Sequence, residues 1–171
     1  MRKQGALNLD GNSWAEVHDN ASLDFGTGSF SLEAWARVKY VNDGSSYNAI
    51  LTLGGNAASD TSLSITSSLE MRFEYAGDSS AVSSSTEGDW VHIVGTYDET
   101  NATFYIDGSQ ADQDARTATD ITNALVKQIG RDSTSNRFYN DQIAQPRIYN
   151  RALTAEEVQR NYNAGKNIYT N

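Results

Sequence analysis

The chain has 171 residues, 38% of them hydrophobic, with 22 acidic side chains against 13 basic ones and a net charge of −9. That length suits one domain with a core large enough to need no covalent staples, and the acidic excess argues against nucleic acid and anionic membrane as partners, both of which require a basic footprint. Cysteine is absent, which excludes a disulfide framework and thiol chemistry.

Met1–Gly5 is followed by no apolar run of the signal-peptide kind, and no stretch of about 18 apolar residues occurs, so neither a leader nor membrane insertion is expected in this chain. Strand-type alternation begins at Leu7-Asn8-Leu9 and returns over Trp14–His18. From Phe30, the residues Phe30, Leu32, Ala34, Ala36 and Val38 point one way, and Ser31, Glu33, Trp35 and Arg37 the other. Further runs cover Ala49–Leu53, Ser62–Thr66 and Leu69–Tyr75. The serine-rich segment Asp78–Asp89 reads as a surface loop. Trp90–Asp98 and the run ending at Asp107-Gly108 form the strongest strand signal; the Asp-Gly pair takes positive φ cheaply and predicts a tight hairpin. Asp112–Asp120 reads as a polar connection, and Leu125–Ile129 and Gln142–Tyr149 complete the strands. Pro146 removes a ladder donor, so its strand is an edge or is bulged there. Ten or more short strands broken this often indicate an all-β, antiparallel two-sheet sandwich.

One helix is predicted near the C-terminus. Thr154-Ala-Glu-Glu157 is a capping box, Leu153 and Val158 can form a hydrophobic staple, and Gly165 is a stop signal. The helix is expected to close the end of the sandwich. The domain then covers 1–165, with 166–171 as a tail.

Catalytic patterns are scarce. Glu70 and Glu74 in Glu70-Met-Arg-Phe-Glu74 share a face, but at ~3.3 Å per residue they lie about 13 Å apart along the strand, against roughly 5–9.5 Å between glycosidase carboxyls. Arg72 between them is better placed for ion pairing. Only two histidines occur, and His92 alternates with Trp90 and Val94 as a packed residue would. Phosphate-loop and dinucleotide fingerprints are missing, so the chain is read as a non-enzyme.

Three segments together carry a family resemblance: Gly28-Ser-Phe-Ser-Leu-Glu-Ala-Trp-Ala-Arg-Val38, then Trp90–Asp98 with Phe104–Gly108, and Ile148-Tyr-Asn-Arg-Ala-Leu-Thr-Ala-Glu-Glu-Val158. In these the chain resembles the concanavalin A-like lectin/glucanase superfamily, and within it the laminin-G-like jelly rolls, from about Ala6 to Gly165. The resemblance implies a concanavalin A-like jelly roll in which Trp14 and Trp90 pack inward and His92 is a strand residue. It also raises calcium, which related sandwiches hold at an edge with carboxylate and carbonyl oxygens. Of the family's acidic motifs, Leu9-Asp10-Gly11 is retained, while Ala144 and Gln145 replace an Asp and a Glu near the end. Asp141, with Asp10 or Asp132, is the remaining candidate metal set, and calcium the only cofactor considered.

The resemblance further implies recognition of sugars by an aromatic face flanked by amides, carboxylates or Arg. Trp35, Glu33 and Arg37 on one strand face, with Arg72, would make such a platform on the concave sheet. Tyr47, Arg131, Asn136, Arg137 and Tyr139 fall near expected sandwich ends, where binding loops sit. The reading is a non-catalytic recognition or adhesion module with glycans as ligands. The alternative is a structural or decoration protein of a phage virion or other extracellular assembly, its partners being other proteins or further copies of itself. Either role places it outside the cell, at a cell surface or on a virion.

Overall fold

Phe30, Leu32, Ala34, Ala36 and Val38 are all fully buried in the principal core, as period-2 alternation requires. The computed structural model describes residues 5–39, 46–54, 60–82, 85–132 and 137–170. In chain order its strands are β1 (Ala6–Asn8), β2 (Ala15–Val17), β3 (Phe30–Arg37), β4 (Tyr47–Thr52), β5 (Ser62–Thr66), β6 (Met71–Tyr75), β7 (Asp78–Val82), β8 (Trp90–Tyr97), β9 (Asn101–Ile106), β10 (Ser109–Ala115), β11 (Lys127–Ile129) and β12 (Gln142–Tyr149), followed by α1 (Ala155–Tyr169). Among the described residues they form two six-stranded antiparallel sheets. The first has the order β1-β12-β3-β8-β9-β10 and the second β2-β11-β4-β5-β6-β7. The chain crosses repeatedly between them, as expected of a jelly-roll sandwich.

The core lies between the sheets. Leu32 and Ile93 from the first meet Leu63, Ile65, Met71 and Phe73 from the second. Gly95 on β8 makes room for this contact: a Cβ there would lie 2.3 Å from the Phe73 ring. Two hairpins share one turn geometry. Asp107 (φ 50°) and Gly108 (φ 78°) join β9 to β10 as predicted, and Ala76 (φ 51°) and Gly77 (φ 84°) join β6 to β7. β12 is an interior strand, and it is bulged between Ala144 and Arg147, where Gln145 has φ 48° beside Pro146.

The structure corrects four expectations. Part of the segment expected as a loop after Asp78 is β7, and much of the expected connection after Asp112 belongs to β10. Both are polar outer strands, so they lack apolar alternation. The helix does not cap the end of the sandwich. Its Val158 packs with Val94, Tyr105 and Leu153, and its Tyr162 and Tyr169 pack on Trp35, so it covers the outer face of the first sheet. Nor does it stop at Gly165: Lys166–Tyr169, expected in a tail, form its last turn, because buried Tyr169 gains contact with Trp35 and Trp90.

Candidate functional site

The outer face of the first sheet is closed. Trp35 has no exposed surface. Its ring stacks on Tyr162 at 5.7 Å and meets Tyr169 and His92, both at 5.0 Å. It is therefore a packing residue beneath α1 and not a sugar platform. Glu33 beside it is also fully buried and accepts hydrogen bonds from His92 Nε2 (3.0 Å), Arg147 Nη1 (2.8 Å), Tyr149 Oη (2.6 Å) and Asn161 Nδ2 (3.0 Å). Burial pushes its carboxyl up, but these donors and the charges of His92 and Arg147 outweigh that and hold it below the ordinary range. Arg37, the third member of the expected platform, is tied to Asp141 at 2.9 Å.

Tyr139 is also displaced from the expected site. It is 1% exposed, lies in the core and donates to the Arg37 carbonyl at 2.7 Å, so it pins the sandwich end from inside. The three candidate metal ligands are separately engaged. Asp10 Oδ1 accepts from the Asn12 amide and the Ser13 hydroxyl in an exposed turn, and Asp141 pairs with Arg37. Asp132 is buried and accepts from Tyr47 Oη and Arg137 Nη1, both at 3.0 Å. Among the described residues no trio of His, Cys, Asp or Glu is placed to hold a metal. Asn136 lies outside the described residues.

The second sheet has a different outer face. Strand register lines up Glu16, Gln128, Thr52, Ser62, Glu74 and Ser79 as one polar row across all six strands. A parallel row sets Ser64 beside Arg72, with Tyr47 opposite Thr66. The sequence carries this pattern because Ser62, Ser64 and Thr66 alternate with core residues Leu63 and Ile65, and Arg72 and Glu74 with Met71, Phe73 and Tyr75. No described helix packs on this face. Here Arg72 meets Tyr47 rather than the Trp35 platform expected of it, and Arg131 lies against Trp14 and Phe138. The Arg72 guanidinium lies 4.8 Å from the Tyr47 ring centroid and that of Arg137 4.2 Å.

Trp14 provides the exposed aromatic group, contrary to the expectation that it packs inward. It is 38% exposed and donates from Nε1 to Glu16 at 2.6 Å, an oxygen that Gln128 Nε2 also reaches at 3.1 Å. Those donors, with the nearby Arg131 charge, hold the Glu16 carboxyl below its usual range. Arg131 lies 4.3 Å from the Trp14 ring and 5.3 Å from Phe138, and the two rings are 5.6 Å apart. Trp14 is thus fixed by its N–H, by the Arg131 guanidinium over its ring and by a tilted contact with Phe138, while 38% of the residue remains exposed.

Below this rim the charge is dense. Asp60 is 5% exposed; burial, then the charges of Asp132 and Glu74, raise its carboxyl to about 6. Burial raises Glu74 as well, opposed by its partner Arg72. Ser62 Oγ, Ser64 Oγ, Gln128 Oε1, Arg72 Nε and Arg131 Nε are buried and find no hydrogen-bond partner among the described residues.

Comparison with known proteins agrees with this architecture. Three solved structures align over nearly the whole chain at low identity. The binding domain of Paraclostridial Mosquitocidal Protein 1 aligns with TM-score 0.71 and 20% identity, over 96% of this chain and 47% of that one. Trypanosoma rangeli sialidase in complex with sialic acid aligns with TM-score 0.72 and 19% identity, over 100% and 29%. A Bacteroides ovatus protein with a provisional carbohydrate-binding designation aligns with TM-score 0.71 and 17% identity, over 93% and 47%. The chain thus spans less than half the length of each. No curated protein sequence matches it. A family model for laminin-G-type domains matches residues 9–159, and the chain belongs to the concanavalin A-like lectin/glucanases superfamily.

Proposed function

We propose that this domain is a non-catalytic recognition module that binds glycans on the outer face of the second sheet. The observation that carries the reading is Trp14: a large aromatic ring, fixed by Glu16 and Arg131 yet 38% exposed, at the rim of a face rich in hydroxyl, amide, carboxylate and guanidinium groups. An immobilised ring of this kind offers a flat surface to sugar C–H groups, and the neighbouring polar groups suit sugar hydroxyls. Tyr47 serves differently, because two guanidiniums already lie against its ring. It holds Arg72 and Arg137 in place and binds Asp132.

The carboxylates favour binding over hydrolysis. Glu74 is paired with Arg72, Glu70 accepts from Thr66, Asp132 is held by Tyr47 and Arg137, and Asp60, whose carboxyl is raised to about 6, is 5% exposed, so each of these carboxyl groups is engaged or buried. With such a role the domain would act outside the cell or on a surface.

A glycan array tests the reading with wild-type protein, Trp14→Ala and Trp35→Ala. Wild type is expected to bind a defined glycan class, and Trp14→Ala to lose at least about tenfold in affinity with an unchanged melting temperature, in line with about 1.4 kcal/mol per tenfold. Trp35→Ala is expected to lower the melting temperature instead. Wild-type silence across all glycans would reject the proposal and favour an assembly role.

A further inference from the structure

We propose that Arg131 makes the glycan site selective for sugars that carry a carboxylate, its guanidinium pairing with that group beside Trp14. The proposal rests on the glycan reading and deepens it. Eight arginines lie among the described residues, and seven of them form ion pairs with Asp or Glu; Arg131 is the exception. In a chain with 22 acidic side chains, this is not for want of carboxylates. The two at hand are engaged elsewhere. Glu16 Oε1 accepts from Trp14 Nε1 and Gln128 Nε2, and Asp132 Oδ2 accepts from Tyr47 Oη and Arg137 Nη1.

The guanidinium is nevertheless held in place. Arg131 forms an isolated antiparallel bridge with Phe138, and its Cζ packs 4.3 Å from the Trp14 ring and 5.3 Å from that of Phe138. Contact with two rings strips water from the cation. Its Nε is buried, and no nitrogen of the guanidinium donates to a described residue, so the free hydrogen-bonding capacity lies on the Nη edge. A planar fork fixed in this way matches the two oxygens of a carboxylate. Trp14 touches the same guanidinium and is 38% exposed, so a carboxylate bound there lies against the ring proposed to meet the sugar. The net charge of −9 narrows the ligand further. A domain so acidic repels polyanions, which favours one carboxylate on an otherwise neutral glycan over a densely charged chain.

An array of carboxylated glycans and their neutral counterparts, including sialyllactose with lactose and glucuronate-terminated with glucose-terminated disaccharides, tests it, followed by titration calorimetry of the pairs that bind. Wild type is expected to prefer a carboxylated member by about tenfold or more at about 50 mM salt, and the preference to shrink by about 500 mM as the charge is screened. Arg131→Gln is expected to bring the ratio of the two affinities to about one, and Arg131→Lys, a point charge without the fork, to keep part of it. An array whose hits are all neutral, or a wild-type ratio near one, overturns the proposal and leaves the glycan reading standing, whereas silence across the whole array ends both. A ratio that survives Arg131→Gln overturns the assignment to this residue, and tighter binding of heparin than of any singly carboxylated glycan overturns the choice of ligand. Where Arg131→Gln does not fold, Arg131→Lys carries the test with the salt series: a full wild-type ratio in that variant, indifferent to salt, rejects the idea.

Discussion

Asp60 is the residue whose ionisation works most directly against the fold. It is buried near two other carboxylates, Asp132 and Glu74; among the described residues it receives a weak 3.5 Å contact from Thr52 Oγ1 and a bond from the Thr61 backbone amide. Its folded-state carboxyl titrates at about 6, against 3.8 for the free group. Between those values the folded protein retains a proton that the unfolded chain has released, so this group's contribution to stability falls as pH rises through the window. Above pH 6 the cost is fully developed, on the order of 3 kcal/mol. Asp60→Asn removes the ionisation and keeps the shape. It is expected to raise stability by about 1–3 kcal/mol at pH 7.5, with the advantage closing by pH 4. Urea melts of both proteins across this range check it, and parallel pH profiles would refute the assignment.

Among the elements, α1 does the most to decide what the domain exposes. Its capping box forms as the sequence predicts: the Thr154 hydroxyl accepts from the Glu157 amide, and the Glu157 carboxylate accepts from the Thr154 amide. Its destination was not legible. Capping chemistry fixes where a helix starts, whereas its docking depends on Trp35, Trp90 and Glu33, which stand 134, 79 and 128 residues before the Tyr169, Tyr169 and Asn161 they meet. The strands follow the same division. Phe30–Arg37 and Trp90–Tyr97 were readable because apolar alternation marks burial, whereas β7 and β10, each hydrogen-bonded on one side only, carry polar sequences that alternation cannot detect. Gly165, read as a stop, is a notch in the helix: a Cβ there would lie 2.5 Å from Trp35 Nε1 and 2.7 Å from its Cε2. Alanine should gain up to about 1 kcal/mol in helix propensity, but overpacking against a rigid indole costs about 1–3 kcal/mol, so the clash decides. Gly165→Ala is expected to lower the melting temperature and red-shift tryptophan fluorescence as α1 lifts. A rise in melting temperature would show that the helix is free to move off the sheet.

At the scale of the molecule, the two sheets share one core but not one environment. The first has packed surfaces on both sides, the core within and α1 outside, whereas the second keeps a polar outer face. Period-2 reading correctly sorted residues onto opposite faces and failed to say which face stays open. That choice depends on pairings such as Glu16 with Gln128, which lie 112 residues apart, and it leaves Trp14 exposed where Trp35 is covered by α1. Local stability should follow the same asymmetry. Every residue of β8 is buried, and all of β3 except Arg37. Both strands are interior, and opening either one exposes the core together with the Glu33 network. β10 is almost wholly exposed and pairs only with β9. Opening of an edge requires far less than global unfolding, so native-state hydrogen exchange is expected to protect β3 and β8 amides by factors approaching global stability and β10 amides by orders of magnitude less. A glycan that binds as proposed should slow the locally opening amides of β4, β5 and β11, and should slow β3 and β8 only by the factor that binding adds to global stability, because those strands exchange when the whole sandwich opens. Protection that rose first under α1 would place the ligand on the opposite side of the molecule and refute the assignment of the binding face.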